Sequence, residues 1–369
     1  MIDAHADVVG SLLRPTELLE AREALAAGRI APAAFKAIED RAVDDAVAIQ
    51  EDAGLEIVTD GELRRLSFQS QLPEAVAGFG EYDLDAFLWG AWHGDSAAGD
   101  VTRRRPPNLG VVHKLERKRH LCAEEFTYLR SRTRRVPKVT LPSPSLWANF
   151  WSPKRSLGAY PSLDAYLADV VDILRDEVTE LVRLGAAYIQ LDAPHYTAML
   201  DPSTSAYYES LGWSGETWLS RGIEMDNAVI GAHPDVTFAF HLCRGNQDSR
   251  WLVEGGYESL AATIFKGIHA HRLMLEYDDS RSGSFEPLRQ VPEDKWVVLG
   301  LVTTKSGRRE TVAELSDRVR EASRYFPLDR LAISPQCGFA TSILGNRLSA
   351  EEQSRKLRVI VETAEAVWG

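Results

Sequence analysis

Short apolar runs rich in β-branched residues recur along the chain, and longer stretches with apolar residues every third or fourth position separate most of them. The two periods mark strands and amphipathic helices. "ADVVGSLL" predicts a first strand ending in a Gly-Ser loop. A helical pair follows, from "PTELLEAREALAAG" through "PAAFKAIEDRAVDDAVAIQEDAG", with Gly54 placed as a C-cap. "LEIVTDGEL" predicts a second strand that runs into Asp60, Gly61 and Glu62, and "PKVTLPSPS" a third. "DAYLADVVDILRDEVTELVRLG" is an amphipathic helix stopped by Gly185. "AAYIQLDAP", "VTFAFHLCR", "RLMLEYDD", "WVVLGLVTT" and "LAISPQCGF" supply strands four to eight. "TVAELSDRVREASRYF" and the closing "AEEQSRKLRVIVETAEAVW" carry the helical period again.

Strands alternating with helices imply parallel βα units, and eight such strands are the number that closes a barrel. The fold expected is therefore α/β, a (βα)8 TIM barrel spanning residues 1–369 as one domain. An open doubly wound sheet is the competing architecture, but no GxGxxG follows the first strand. Residues 71–135 are too long for a plain βα loop and read as an inserted hairpin plus helix after strand two, elaborating the barrel rim. This segment carries the basic runs "VTRRRPPNLG" and "KLERKRHLC". Solvated surface is their simplest reading, a channel for an anionic substrate tail the alternative.

Charge narrows the partners. With 42 basic and 54 acidic residues the formal charge is −12, which argues against a nucleic-acid binder. No run reaches the roughly 18 apolar residues that span a bilayer, and "MIDAHADVVGSLLRP" lacks the pattern of a signal peptide. Cys122, Cys243 and Cys337 are too few and scattered for a disulfide framework, so a reducing, cytoplasmic setting is expected. Small molecules are the expected partners, with homo-oligomerisation left open.

In such a setting a cysteine beside a histidine suggests metal or catalysis. In "FAFHLCRGN", His241 and Cys243 are two residues apart at the end of an apolar strand and face the same side. A buried Cys acting as a small hydrophobe beside a satisfied His is the plainer alternative. The other strand ends decide between them, because barrel chemistry sits at the C-terminal ends of strands. Strand two ends in Asp60 and Glu62, strand four in Asp192 and His195, strand six in Glu276, Asp278 and Asp279, and strand eight in Cys337. His241, Cys243, Cys337 and one carboxylate of strand six would make a zinc site. Glu276 directly follows the apolar run, and Asp278 points the same way if the strand continues. Cys122 reads as a helix-face thiol. Zinc with two thiolates and one imidazole favours activation of a substrate thiol over hydrolysis.

The motifs "VGSLLRP", "GLEIVTDGELRR", "AAYIQLDAP", "HLCRGN", "LEYDDSRSG" and "ISPQCGF" resemble the catalytic C-terminal barrel of the cobalamin-independent methionine synthase family over nearly the whole chain. The resemblance implies Zn2+ held by His241, Cys243, Glu276 and Cys337. It also implies a homocysteine pocket formed by Gly10, Ser11, Glu62 and Asp192. Two carboxylates suit an α-ammonium group; a rim ion pair with Arg64 or Arg65 is the structural alternative.

Full-length members carry a second, N-terminal barrel, and this chain is expected to be of the single-barrel type. The family also places a histidine after strand seven, where this chain reads "LGLVTTKSGRRE", with Thr303, Thr304 and Lys305. His195 is the candidate replacement acid, or a supporting residue; His5 could belong to the core. The expected activity is zinc-dependent S-methylation of homocysteine to methionine. The competing readings are an alkyl or epoxide transferase of the coenzyme M type and a non-catalytic zinc-binding barrel. The methyl donor, folate or methylcobamide, is left open.

Overall fold

A computed structural model describes residues 1–81, 92–94 and 109–369. The first turns of the chain form α1 (Thr16–Ala26) and α2 (Pro32–Asp52), and the short strand β1 (Ile57–Val58) follows. Next come α3 (Gln71–Ala75), β2 (Val76–Glu81), β3 (Leu109–Arg117), α4 (Ala123–Arg132) and β4 (Val136–Pro142). The long helix α5 (Leu163–Arg183) leads to β5 (Tyr188–Asp192). Three helices, α6 (Pro194–Ala198), α7 (Pro202–Ser210) and α8 (Gly215–Ile230), precede β6 (Thr237–Leu242). The remainder is α9 (Glu258–Gly267), β7 (Arg272–Glu276), β8 (Trp296–Val302), α10 (Val312–Ala322), β9 (Leu331–Pro335) and α11 (Ala350–Trp368). No helix among the described residues is long and apolar enough to cross a membrane.

Seven strands form one sheet in the order β1-β4-β5-β6-β7-β8-β9, every neighbouring pair parallel. The sheet curls into a TIM-barrel-like arrangement. Strands β5 to β8 are buried throughout, as parallel strands covered on both faces must be. Alternate residues divide between two cores. Tyr188, Ala239, Met274, Val298 and Ala332 pack in one, with Val8 and Leu12. Ile189, Phe238, Leu273 and Val297 pack in the other, against Leu174, Val229 and Ile264 of the helices. Along the strands, the first set continues at every second residue into Asp192, His241 and Glu276. The strand period itself thus delivers the polar residues to one end of the sheet.

The expected first strand does not form a ladder. Ala6 makes a single parallel bridge to Ile333 of β9. Asp7 N donates to Ile333 O at 2.9 Å, and Ile333 N to His5 O at 2.8 Å. On the other side Thr59 Oγ1 donates to Gly10 O at 2.6 Å, and Leu12 N to Gly61 O at 3.0 Å. Residues 5–12 therefore join the two edges of the seven-stranded sheet without being a regular strand. The cause is local. Val8 N donates to Asp7 Oδ1 at 2.8 Å, and Val8 O accepts from the Lys138 ammonium, so side chains take the groups a ladder would use. Asp7 is fully buried and gathers Lys138 Nζ at 2.9 Å, Tyr188 OH at 2.6 Å and Arg272 Nε at 3.4 Å. His5 belongs to the opposite end, stacked on Trp368 with Nδ1 2.7 Å from Leu331 O.

Within residues 71–135 the described part holds α3, an antiparallel β2–β3 ladder separate from the main sheet, and α4. Most of the basic run "VTRRRPPNLG" lies outside the described residues. Cys122 is not on a helix face: it caps the start of α4, buried, with its sulfur 3.5 Å from Arg65 Nη2.

Candidate active site

At the C-terminal ends of the strands a cavity of about 80 Å3 is lined by Ser11, Glu62, Asp192, His241, Cys243 and Cys337, among others. His241 ends the β6 register opposite Asp192 of β5. Cys243 lies one residue beyond β6 and Cys337 two beyond β9. One ligand atom from each of His241, Cys243 and Cys337 falls within 4.8 Å of the others, and all three residues are buried.

His241 Nδ1 lies 2.8 Å from Asp192 Oδ1, and its Nε2 is buried without a protein partner. Burial alone would push the His241 pKa down, but the Asp192 contact and the neighbouring Cys243 raise it. The two thiols form a close pair. The hydrogen bond from Cys337 draws Cys243 below the usual thiol range, and the same contact holds Cys337 well above it.

Glu62 lines the same cavity in a left-handed conformation, φ 54°, with its N–H donating to Asp60 Oδ1 at 2.9 Å. Its Oε1 accepts from Thr140 Oγ1 at 2.6 Å, while Oε2 is buried and unpartnered. Burial raises the Glu62 pKa, with Arg65 opposing and Asp192 reinforcing the shift. Arg65 lies 3.6 Å from Glu62 but hydrogen-bonds Glu125 and Thr140; Arg64 turns away to Glu39 and Asp40. Gly10 is there because nothing larger fits: a Cβ would lie 2.6 Å from Glu62 Oε1. Gly338 approaches Ser11 as closely, since its Cβ would fall 2.0 Å from Ser11 Oγ.

Glu276 is fully buried beside the three N/S donors but outside the group that converges within 4.8 Å. Its Oε2 accepts from Arg244 N at 2.9 Å and Gln336 Nε2 at 3.4 Å. Its Oε1 faces Lys305 Nζ at 3.4 Å and Arg281 Nη2 at 3.6 Å. Burial would raise its pKa, but Lys305, Arg244 and Arg281 bring it below the usual range. Asp278 goes the other way: burial pushes it up to about 6. Asp279 points outward and pairs with Arg281 at 2.7 Å.

His195 is not among the residues that line the cavity. It lies behind the cavity wall, fully buried against Tyr196, with Nε2 2.8 Å from Ser145 Oγ. Burial drives its pKa down to about 3, which disfavours the protonated imidazole at neutral pH. Sequence reasoning named Lys305 only as part of the loop standing where the family has a histidine, and missed Gln336 and Arg244 around Glu276. The signal available was adjacency: Gln336 precedes Cys337 and Arg244 follows Cys243.

The family described as "Cobalamin-independent synthase, Catalytic domain" matches residues 5–366. The uncharacterized protein YxjH of Bacillus subtilis is 34% identical over 367 residues, covering 99% of this chain and 94% of the relative. A methionine synthase of Pyrococcus abyssi is 26% identical over 355 residues, covering 96% of this chain and 90% of the relative. The solved structure of a B12-independent methionine synthase from Shewanella sp. W3-18-1 superposes with a TM-score of 0.73 at 20% identity. That likeness covers 98% of this chain and 97% of the other, and it speaks for the fold alone.

Proposed function

We propose, for a chain that belongs to the cobalamin-independent synthase catalytic-domain family, that it is a zinc-dependent thiol S-methyltransferase converting homocysteine to methionine. The observation that carries this reading is the convergence of His241, Cys243 and Cys337 in a cavity that Glu62 and Asp192 also line. The reading takes residues 1–369 as one (βα)8 barrel with 71–135 elaborating its rim, and Glu276 as the fourth zinc ligand.

The donor set fits zinc. Two sulfurs and an imidazole nitrogen are its preferred ligands, and the buried Nε2 of His241 has no protein partner. Asp192 accepts the Nδ1 proton, which leaves the lone pair on Nε2 and fixes the ring. Bound there, zinc would lower the pKa of a substrate thiol so that it is a thiolate at neutral pH.

The chain's own residues supply the rest. Glu62 Oε2 and Asp192 accept hydrogen bonds from the α-ammonium group, a charge-assisted pairing in a site shielded from water. Anchoring the amine at these carboxylates holds the substrate sulfur within the same cavity as the three N/S donors, converting an encounter into a fixed approach. The thiolate sulfur attacks the methyl carbon: an S–C bond forms while the methyl–donor bond breaks, and its electron pair leaves with the donor. Phe68, Leu146 and Leu252 give the cavity an apolar lining. A coenzyme M-type thiol carries a sulfonate, which Glu62 and Asp192 would repel. With His195 walled off and neutral, a donor whose leaving group needs no proton, such as a methylcobamide, turns over faster than methyl-folate.

The test is to supply zinc-loaded protein with homocysteine and each donor in turn, and to measure methionine by mass. Methionine from at least one donor supports the reading. Methylation of simple thiols with none of homocysteine would overturn it.

A further inference from the structure

Two observations around Glu276 are independent of each other. The first is that its two oxygens have different surroundings. Oε2 is bracketed by the residues adjoining the cysteines, Arg244 N at 2.9 Å and Gln336 Nε2 at 3.4 Å, which holds the carboxylate between the Cys243 and Cys337 segments. Oε1 points the other way, 3.4 Å from Lys305 Nζ. The second is that Lys305 is built into place. Its N–H donates to Thr303 Oγ1 at 3.3 Å. The preceding Thr304 gives both N–H and Oγ1 to Gln336 Oε1, at 3.1 and 2.7 Å, and its carbonyl accepts from Asn346 Nδ2 at 2.8 Å. Arg281 Nη2 also faces Glu276 Oε1, more distantly at 3.6 Å, while its Nε holds both oxygens of Asp279 at 2.8 and 2.7 Å. Among the described residues, the one ion pair of the Lys305 ammonium is with Glu276.

We infer that Lys305 is a positioning residue that receives the Glu276 carboxylate when a substrate thiol takes its place on the metal; this rests on the zinc reading above. A zinc site with four protein ligands is closed, and one with three admits substrate. A carboxylate expelled into a buried pocket without a counter-charge would carry a large desolvation cost. Here the counter-charge stands ready, and Gln336 and Arg244 N supply the remaining hydrogen bonds. Lys305 therefore does two opposed things: it weakens the hold of Glu276 on the metal and favours the thiol-bound state. No bond to carbon changes in this step; the S–H bond breaks as the sulfur replaces the Glu276 oxygen on the metal, the proton passes to solvent water, and the Glu276 carboxylate stays ionised against Lys305.

The test uses readouts other than turnover. Zinc affinity is measured by competition with a chromophoric chelator, and homocysteine affinity by the spectrum of the Co2+-substituted protein, in wild type, Lys305→Met and Lys305→Arg. Losing a charged hydrogen-bond partner of this kind shifts an equilibrium by about tenfold. Lys305→Met is expected to bind zinc more tightly and homocysteine more weakly by that factor, with Lys305→Arg restoring part of both. Unchanged constants in a folded Lys305→Met would overturn the inference. X-ray absorption of wild-type zinc protein with homocysteine tests it without any variant. Three sulfurs and one nitrogen with no oxygen supports displacement of Glu276; a retained oxygen ligand contradicts it. Wild-type protein that binds no zinc would instead remove the functional reading beneath.

Discussion

Asp192 Oδ1 lies 2.8 Å from His241 Nδ1, and the same carboxylate lines the cavity that Glu62 also lines. One side chain thus orients the imidazole proposed as a zinc ligand and lines the cavity proposed for the substrate amine. The two duties separate on substitution. Asp192→Asn keeps an oxygen that accepts from Nδ1 but loses the charge, so KM for homocysteine should rise while zinc content stays at the wild-type level. Asp192→Ala loses both, and zinc affinity should fall by about 10- to 100-fold, as is usual when a partner of a metal-binding histidine is removed. Equal zinc affinity in Asn and Ala variants would deny Asp192 its orienting role.

Gly10→Ala places a methyl group where Glu62 Oε1 and Thr140 Cγ2 already sit, at 2.6 and 2.9 Å. The Glu62 carboxylate has to move, and the amine pocket moves with it. Homocysteine KM should increase by at least about tenfold, the effect of losing one charge-assisted hydrogen bond. Zinc content should be untouched. A wild-type KM in this variant would mean that Glu62 does not hold the amine.

His195 should leave a signature in stability. Its folded pKa, about 3, lies below the ordinary histidine value of about 6.5. Between these values the unfolded chain binds a proton that the folded chain does not, so stability rises with pH across this window and is lost as pH falls. The slope is at most about 1.4 kcal/mol per pH unit. His195→Phe keeps the aromatic volume and should flatten that slope, read as the difference in urea-unfolding free energy between pH 6.5 and pH 4.5. It should leave the neutral limb of the activity profile in place. A neutral-limb shift in His195→Phe would restore the acid to this position.

Asp7 and Lys138 are both fully buried, 2.9 Å apart, where residues 5–12 join the edges of the sheet. Lys138→Met removes the main countercharge of Asp7 and should cost about 3–5 kcal/mol of unfolding free energy. Asp7→Asn combined with Lys138→Met should recover part of the loss, since the one charge left buried there, Arg272, keeps its hydrogen bonds to Ile2 O and Ala4 O. A double variant as unstable as the single one would show that packing, not charge, governs this corner.

The parallel strands and their helices could be read from the sequence, because burial on both faces leaves continuous apolar runs such as "TFAFHL" and "WVVLGLV". His241, Cys243 and Cys337 were equally readable, being unusual residue types at strand ends. The irregular first segment was not. "ADVVGSLL" has strand composition, and what breaks the ladder is Lys138, 130 residues further on, which takes the carbonyl of Val8. The burial of His195 was not legible for a related reason: position after a strand says nothing about whether a side chain turns into the cavity or into the aromatic layer around Tyr196. The partners of Glu276 come from three separate loops, so no local pattern reports them.

The most direct measurement is zinc per chain in wild type, Cys243→Ser and Cys337→Ser, each purified in zinc and dialysed against a weak chelator. With His241 Nε2 and two sulfurs as the gathering point, wild type should retain one zinc per chain and each serine variant close to none. Full zinc occupancy in both serine variants would contradict the site, and with it the thiol chemistry built on it.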